Sequence, residues 1–289
     1  NAGTGVTTGS NIIAIGKDAY TNADTETQNL AIGLGALNGP VNGGEYNVAI
    51  GDNSLDALTS ADYCVALGYQ AGENLTTGGN NVLIGRYAGG DIVGGASNTF
   101  LGYNAGSSVT SGDNHLHLGK DSGLTGSPGG NITTADNIIV LGDENISAAN
   151  IQVDWTVASD KRDKTDVTNL DLGLEFINKL TPVTYKWDKR SNYVDKNDPS
   201  ADLNAVTTDG THKEDWLDVG FLAQDVAAIE ESYDYKIANK TNLTTSLSED
   251  GKQYSTKYNK FVPMLVKAVQ ELSAEVTTLK DEINTLKGE

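Results

Sequence analysis

Reactive or metal-binding side chains are few in this chain of 289 residues, which has one cysteine and three histidines. His115 and His117 stand two residues apart. On a β-strand this spacing places both imidazoles on one face, where they could hold a transition metal. The alternative, which we favour, is two histidines on a solvated face or a face between chains. Cys64 has no intrachain partner, and we expect it to be a small buried hydrophobic residue.

A second set of reactive types occurs in the run SDKRDK at 159–164. A serine and a lysine can act as nucleophile and base when burial or neighbouring charge lowers the pKa of the lysine. Asp163 would oppose this if it lies close, because a carboxylate favours the ammonium form. From these residues alone, the simpler interpretation is a helix-capping Ser159 and a solvated Lys164.

Composition divides the chain in two. Residues 1–158 hold 28 of the 33 glycines with 15 acids and 3 bases, whereas residues 159–289 hold five glycines, 24 acids and 17 bases. The net charge of −19 argues against nucleic acid as a partner, since phosphates require lysine and arginine. No apolar run reaches 18 residues, so we expect no membrane insertion.

One short phrase recurs through the first part of the chain. It ends each time in glycine, at spacings of 17, 18, 17, 17, 17, 17 and 23 residues, and reads IIAIG (12–16), NLAIG (29–33), NVAIG (47–51), CVALG (64–68), NVLIG (81–85), NTFLG (98–102), HLHLG (115–119) and IIVLG (138–142). Aliphatic residues alternate within it, which predicts a short strand with one buried face. Repeats of this kind bury their apolar faces by stacking, so we predict a β-solenoid.

The position between the two aliphatic residues changes along the chain. It is alanine in the first four phrases and then Leu83, Phe100, His117 and Val140. We expect this face to be neither core nor freely solvated, and to approach another chain closely. The closing glycine permits a turn through positive φ or tight packing at a corner.

This part, about residues 11–145, resembles the head repeats of trimeric autotransporter adhesins, and similar repeats occur in phage tail fibres. The resemblance implies a homotrimer in which three solenoids pack around a threefold axis. It also implies a possible role for His115 and His117, because in some phage fibres three copies of a His-x-His pair bind a metal on the axis through six imidazoles. No other cofactor is expected.

Four phrases in residues 159–289 resemble the intramolecular chaperone domain of phage tail spikes, tail fibres and endosialidases, also classed as the S74 peptidase family. They are, in order, Ser159, Asp160, Arg162 and Lys164; then Leu180, Pro182 and Tyr185; then Gly220, Phe221, Ala223, Gln224, Asp225 and Val226; and finally Leu265, Val266, Lys267, Ala268, Gln270, Glu271 and Leu272. Asp163 departs from the family, which usually has an aliphatic residue there.

The resemblance implies a specific activity. Such a domain helps the upstream fibre to trimerise and is then released by self-cleavage, here between Ser159 and Asp160. It implies a dyad of Ser159 and Lys164, with Arg162 and Gln224 as supporting residues. The chain would then be at most a single-turnover Ser-Lys endopeptidase.

The chemistry at this bond has a geometrical difficulty, because a serine attacking its own carbonyl would close a strained four-membered ring. Three routes stay open. Ser159 of a neighbouring chain attacks; Lys164 activates a water that Ser159 orients; or Ser159 attacks the carbonyl of Ala158 and the cut falls before the serine.

A heptad pattern closes the sequence. Val262, Val269, Val276 and Ile283 recur every seven residues, with Leu265, Leu272, Leu279 and Leu286 three positions later. This is the a/d pattern of a coiled coil. β-Branched a and leucine d favour isolated dimers, but we expect a trimer because neighbouring domains can impose stoichiometry. The alternative is an amphipathic helix that packs on its own domain.

Together these observations predict an all-β solenoid or β-roll of about 17-residue repeats, followed by an α+β chaperone domain that ends in a long coiled-coil helix. The predicted domains are a lead-in at 1–10, the repeats at 11–158, the chaperone at 159–261 and the coiled coil at 262–289.

The function expected is the distal segment of a phage or phage-like tail fibre, assembled in the host cytoplasm and carried on the virion. Its partners would be two further copies, other tail proteins, and a host receptor that is a glycan or an outer surface protein. Loops at 89–97 and 124–134 are the expected contact surfaces. The alternatives are a bacterial trimeric surface adhesin and a polysaccharide-degrading tail spike, which would need two facing carboxylates.

Overall fold

The computed structural model describes residues 1–23, 25–196, 198 and 201–288. The chain divides into two compact units. The solenoid unit comprises residues 1–147, 188–212 and 248–253, and the C-terminal unit comprises residues 148–187, 213–247 and 254–289. Within the described residues, no helix combines the length and apolar character needed to cross a bilayer.

The eight glycine-ending phrases form eight three-residue strands in one parallel sheet, each paired with the next along the chain. The strands are β1 Ile13–Ile15, β2 Leu30–Ile32, β3 Val48–Ile50, β4 Val65–Leu67, β5 Val82–Ile84, β6 Thr99–Leu101, β7 Leu116–Leu118 and β8 Ile139–Leu141. Equivalent positions pair directly, as Ala31 does with Ala49 and Phe100 with His117. The predicted solenoid is therefore confirmed, with one strand of this sheet per repeat.

The closing glycines are required by the stacking itself. Gly51 has φ +134°, and a Cβ there would lie 2.3 Å from the carbonyl oxygen of Gly68 in the next coil. Any side chain at this corner would force successive coils apart, because contacts of that length do not occur between nonbonded atoms. The glycine column thus sets the close approach of the coils.

The buried and exposed faces of the strands are the reverse of our expectation. From β2 onward the middle residue is buried, including the alanines and Phe100. The aliphatic residues on either side of it are half-buried or exposed, as Ile15, Leu67 and Leu101 are. The prediction that the alanine and His117 face approaches another chain is wrong. The middle residue, small in β2 to β4 and larger in β5 to β8, points into the coil interior, and the aliphatic residues on either side of it point outward.

The middle residue of a strand and the residue six positions later share one volume in the coil interior. Ala31 is followed by a buried Leu37, whereas Phe100 is followed by Gly106. A Cβ at Gly106 would lie 2.7 Å from three ring atoms of Phe100. Most coils place one bulky residue at one of these two positions. The coil with Ala66 and Gly72 places none, and there Leu55 and Leu83 of the adjacent coils fill the space beside Gly72. This sharing of volume explains why the middle position can change from alanine to larger residues along the chain.

Buried polar side chains link successive coils just before each strand. Asn47 Oδ1 accepts a hydrogen bond from the Cys64 amide at 2.9 Å, and Asn47 Nδ2 donates to the Ala61 carbonyl at 2.8 Å. Asn98 does the same for the His115 amide and the Gly112 carbonyl, both at 2.9 Å. These asparagines satisfy backbone groups that would otherwise be buried without partners.

Residues 248–253, which follow β11 in the chain, also belong to the solenoid unit. The Glu249 carboxylate accepts hydrogen bonds from the amides and hydroxyls of Thr133 and Thr134, at 2.7 to 3.0 Å, and from the Ala135 amide at 3.3 Å. Burial acts to raise the pKa of Glu249, but these donors lower it to about 2. The long connection before β8 is therefore held by a carboxylate more than a hundred residues away in sequence.

The C-terminal unit combines three helices with two small antiparallel sheets, β9 with β10 and β11 with β12. Its elements are α1 Leu174–Lys179, β9 Val183–Tyr185, β10 Asp218–Gly220, α2 Ala223–Ser232, β11 Thr245–Leu247, β12 Tyr254–Thr256 and α3 Phe261–Lys287. Its core includes Leu172, Phe176, Val226, Phe261 and Met264. The predicted α+β region with a long final helix is confirmed.

Two carboxylates position these elements. Glu230 on α2 is fully buried and accepts hydrogen bonds from the amide and hydroxyl of Thr244, at 2.6 and 2.8 Å, and from the Thr245 hydroxyl at 2.5 Å. Glu271 on α3 accepts from the Leu174 amide at 2.6 Å, and so caps α1, whose Gly173 offers no side chain. Both satisfy backbone donors outside their own helix.

We predict that Gly106→Leu alone destabilises the solenoid by about 2 to 3 kcal/mol through overpacking. Combining it with Phe100→Ala reproduces the Ala31 and Leu37 pair and should recover most of that loss. The backbone permits this, because Leu37 has φ +51° and Gly106 has φ +60°. A double-mutant cycle by urea unfolding measures the coupling; simple additivity of the two single changes would contradict the shared-volume interpretation.

Candidate functional site

The structure brings Ser159 and Lys164 together within one chain. Lys161–Asp163 form a single 3-10 turn that reverses the backbone between them. Lys164 Nζ donates a hydrogen bond to Ser159 Oγ at 2.6 Å. The two residues that the resemblance assigns to a dyad are thus in direct contact, although five positions separate them in sequence.

Asp160, on the other side of the candidate bond, is held by Arg162. The Arg162 guanidinium lies 2.6 Å from Asp160 Oδ2 through its terminal nitrogen, and Nε lies 3.1 Å from Oδ1. Oδ1 also accepts from the Arg162 amide at 2.9 Å, capping the turn. These hydrogen bonds lower the pKa of Asp160. Arg162 is therefore placed to orient the residue that follows Ser159.

Every residue of this turn is exposed in the single chain. Lysine removes a proton only as the free amine, a form that burial or nearby positive charge favours. No ion pair joins the described residues Asp163 and Lys164. The pair therefore has the contact needed for proton transfer but lacks the desolvated surroundings that would activate it.

The third predicted phrase lies elsewhere in the C-terminal unit. Gln224 is the second residue of α2 and lines a cavity of about 260 Å³ with Tyr235 and Tyr254. No hydrogen bond joins it to Ser159 or Lys164, all of which are described. The Phe221 amide donates to the Tyr258 hydroxyl at 3.1 Å, and a Cβ at Gly220 would lie 2.2 Å from that hydroxyl. This phrase has a packing role.

The heptad residues of α3 do not pack on their own domain. All eight a and d side chains are exposed, from Val262 and Leu265 at the start of the helix to Ile283 and Leu286 near its end. The N-terminal turns instead use Phe261, Met264 and Ala268 for the domain core. The alternative of an ordinary amphipathic helix packed on its own domain is therefore wrong for this seam.

His115 and His117 lie inside the solenoid, 2% and 0% exposed. His115 takes the position that Asn98 has in the preceding coil, and its Nδ1 accepts the Ile138 amide at 3.2 Å. His117 lies in the interior column, with its ring centroid 4.9 Å from that of Phe100. Its two nitrogens and His115 Nε2 have no hydrogen-bond partner.

This placement does not fit a six-imidazole site on a threefold axis, because both rings are enclosed by one chain. The described residues also contain no group of three or more His, Cys, Asp or Glu that could hold a metal. Metal binding by the pair stays a prediction, which elemental analysis of chelator-free protein would decide.

Sequence reasoning overlooked the buried asparagines and the carboxylate anchors. The asparagines had a signal, since asparagine recurs immediately before the strand at positions 29, 47, 81 and 98. Glu230 and Glu249 gave no such signal, because the sequence does not distinguish an acid that will be buried from one that will be exposed.

A comparison with protein families supports the chaperone assignment. Residues 159–235 match the family model of peptidase S74, the chaperone of endosialidase. The match starts at Ser159 and extends through α1, β9, β10 and α2. No curated protein and no solved structure matches the chain significantly. The fold is thus a parallel β-solenoid followed by a region similar to the chaperone of endosialidase, and this match supports an intramolecular chaperone role of the kind found in trimeric fibre and spike proteins.

The buried His117 should make stability depend on pH. Burial, and secondarily the charge of His115, lowers its pKa from 6.5 to about 4. The unfolded chain gains this proton near pH 6.5 and the folded chain only near pH 4. Stability is therefore full above pH 6.5 and falls on acidification towards pH 4, by about 3 kcal/mol at most.

The test is urea unfolding at pH 7 and pH 5. His117→Leu, which introduces the residue found at position 83, should lose less stability than the wild type between these values. His212→Asn changes an exposed histidine and should behave like the wild type. Equal pH dependence in all three proteins would show that His117 is not a source of the effect.

Proposed function

We propose that this chain is a segment of a homotrimeric fibre, in which the repeats form the shaft and the region from Ser159 is an intramolecular chaperone that aligns three chains and then releases itself. The observation that carries the proposal is the family match starting at Ser159, where Ser159 and Lys164 are hydrogen-bonded. The exposed a/d seam of α3 supports self-association.

Register is the physical reason for such a chaperone. Consecutive coils are nearly identical, so two solenoids could pair one coil out of phase and leave apolar surface uncovered at the end. A coiled coil that forms first brings three chains together in phase at low loop-closure cost. The chaperone is then needed only until the shaft has formed.

Cleavage is proposed at the Ser159–Asp160 bond. Hydrolysis adds the elements of water across the bond. The Ser159 carbonyl carbon gains the hydroxyl, and the Asp160 nitrogen leaves as an amine that carries the remaining hydrogen of the water. Lys164, as the free amine, would take the proton from the nucleophile and return it to the leaving nitrogen. Assembly against a neighbouring chain would supply the burial that the exposed pair lacks.

Intact mass measurement of purified full-length protein tests the cleavage. We expect a fragment that begins at Asp160, and its yield should fall at least 100-fold in Ser159→Ala and Lys164→Met. Lys161→Met, on the same exposed turn, is the matched control and should cleave normally. A fragment that begins at Ser159 would assign the cut to the Ala158 carbonyl. Equal behaviour of all four proteins would refute an autocatalytic role for the pair.

Deleting residues 160–289 tests the chaperone role. We expect the remaining repeats to be monomeric or aggregated by light scattering, because the residues that would align the chains are then absent, as are residues 188–212 and 248–253 of the solenoid unit. Soluble trimers from this variant would refute the role.

We further propose that the fibre belongs to a phage or phage-like tail and attaches to a host glycan or outer surface protein. The support is the association of S74 chaperones with trimeric fibre and spike proteins. Binding of labelled protein to host cells, without depolymerisation of their polysaccharide, is the expected result; depolymerisation would favour the tail-spike alternative.

A further inference from the structure

The outward side of the solenoid sheet carries an apolar surface that the coils themselves leave uncovered. We call it the outer strand face, and it consists of the first and third residues of β1 to β8. Fifteen of these sixteen residues are Ile, Leu or Val, and the other is Thr99. Six of these side chains are exposed in the single chain, including Ile13, Leu67, Leu101 and Ile139.

The absence of charge on this face is informative because the surrounding chain is strongly acidic. Residues 1–158 carry 15 acids and 3 bases, and none of these occupies the sixteen positions. Seven strand spacings of about 4.8 Å make the face about 34 Å long, and its two columns lie about 7 Å apart. Contiguous apolar surface of several hundred Å² on a soluble protein indicates an interaction site.

Aromatic residues and the single arginine of the repeats flank this face in sequence. Tyr46 and Tyr63 stack at 5.0 Å. Two residues beyond the third strand position, the Arg86 guanidinium lies between Tyr69 and Tyr103, 5.8 and 5.7 Å from their ring centroids. The position of Arg86 is taken in other coils by Lys17, Asp52, Lys120 and Asp143. The face thus has an apolar centre and a mixed polar border, which is the anatomy of a protein–protein interface.

We propose that the outer strand face is the surface through which the solenoid packs on other copies of this chain; the inference rests on the proposed homotrimer and specifies its interface. A second copy fits better than an unrelated partner because its coils have the same spacing, so each aliphatic row meets an equivalent row along the whole length. The a/d seam of α3, about 40 Å long at 1.5 Å per residue, is a second uncharged self-association surface on the same chain.

The proposal predicts protection of residues that a single chain leaves accessible. Leu101, in β6, is 48% exposed, and Val93, on the connection between β5 and β6, is 47% exposed. Cysteines at these two positions are matched in the isolated chain, and only contact with another copy should make them differ. Native Cys64 is first changed to Asn, the residue at the equivalent position of four other coils.

The experiment measures the rate of N-ethylmaleimide labelling of the full-length protein by mass spectrometry, with light scattering on the same sample. We expect a trimer in which Leu101→Cys reacts at least tenfold more slowly than Val93→Cys, with equal rates in denaturant. Leu67→Cys, in the same column of the face and 43% exposed, should repeat the protection and guards against a local folding defect at position 101.

The outcomes separate the inference from the proposed function. Trimers in which Leu101→Cys and Leu67→Cys react as fast as Val93→Cys would overturn the outer strand face as the interface and leave the homotrimer standing. A monomeric mass for the wild type and all variants would overturn both. Trimers in which the cysteines at 101 and 67 are protected and the cysteine at 93 is not would support both the homotrimer and the outer strand face as its interface.

Discussion

The narrow interior of the solenoid coil is the constraint on which the rest of the structure depends. At the two interior positions six residues apart, a coil buries at most one bulky side chain, supplied by the middle of the strand, as at Phe100, or six residues later, as at Leu37. Glycine or alanine takes the other position. Because the interior is filled in this way, the larger aliphatic residues of every strand point outward, and the coil stack keeps an apolar surface that its own fold cannot cover.

In-register parallel pairing extends this local constraint along the whole stack. Equivalent residues of successive coils pair directly, so whatever one coil exposes, the next exposes beside it. The same repetition carries the buried asparagines, which join the amides and carbonyls of neighbouring coils, as Asn98 does for His115 and Gly112. His115 occupies a position of that series, as Cys64 does, and this position accounts for its burial.

The C-terminal unit is organised by carboxylates that act over long distances in sequence. Glu230, on α2, binds the residues that lead into β11. Glu271, on α3, caps the N-terminus of α1. Such buried or partly buried acids stabilise only when every acceptor finds a donor. Here the donors are backbone amides, threonine hydroxyls and, for Glu271, the ammonium group of Lys267. The Ser159 and Lys164 pair is different, since it is exposed and unsupported in a single chain. The cleavage proposed for this pair therefore requires burial that a single chain does not supply.

The sequence by itself determined the coil period, the strands, the closing glycines, the a/d seam and the similarity to the chaperone of endosialidase that starts at Ser159, because each depends on local spacing or on a contiguous motif. Only the tertiary structure decided which side of each strand faces inward. Alternation with period two is the same for either choice, and the interior volume that selects between them is set by residues six positions away, such as Gly106 opposite Phe100. The burial of His115 and His117 and the roles of Glu230 and Glu249 were likewise decided by tertiary contacts, since the type of a residue does not reveal which distant donors will surround it.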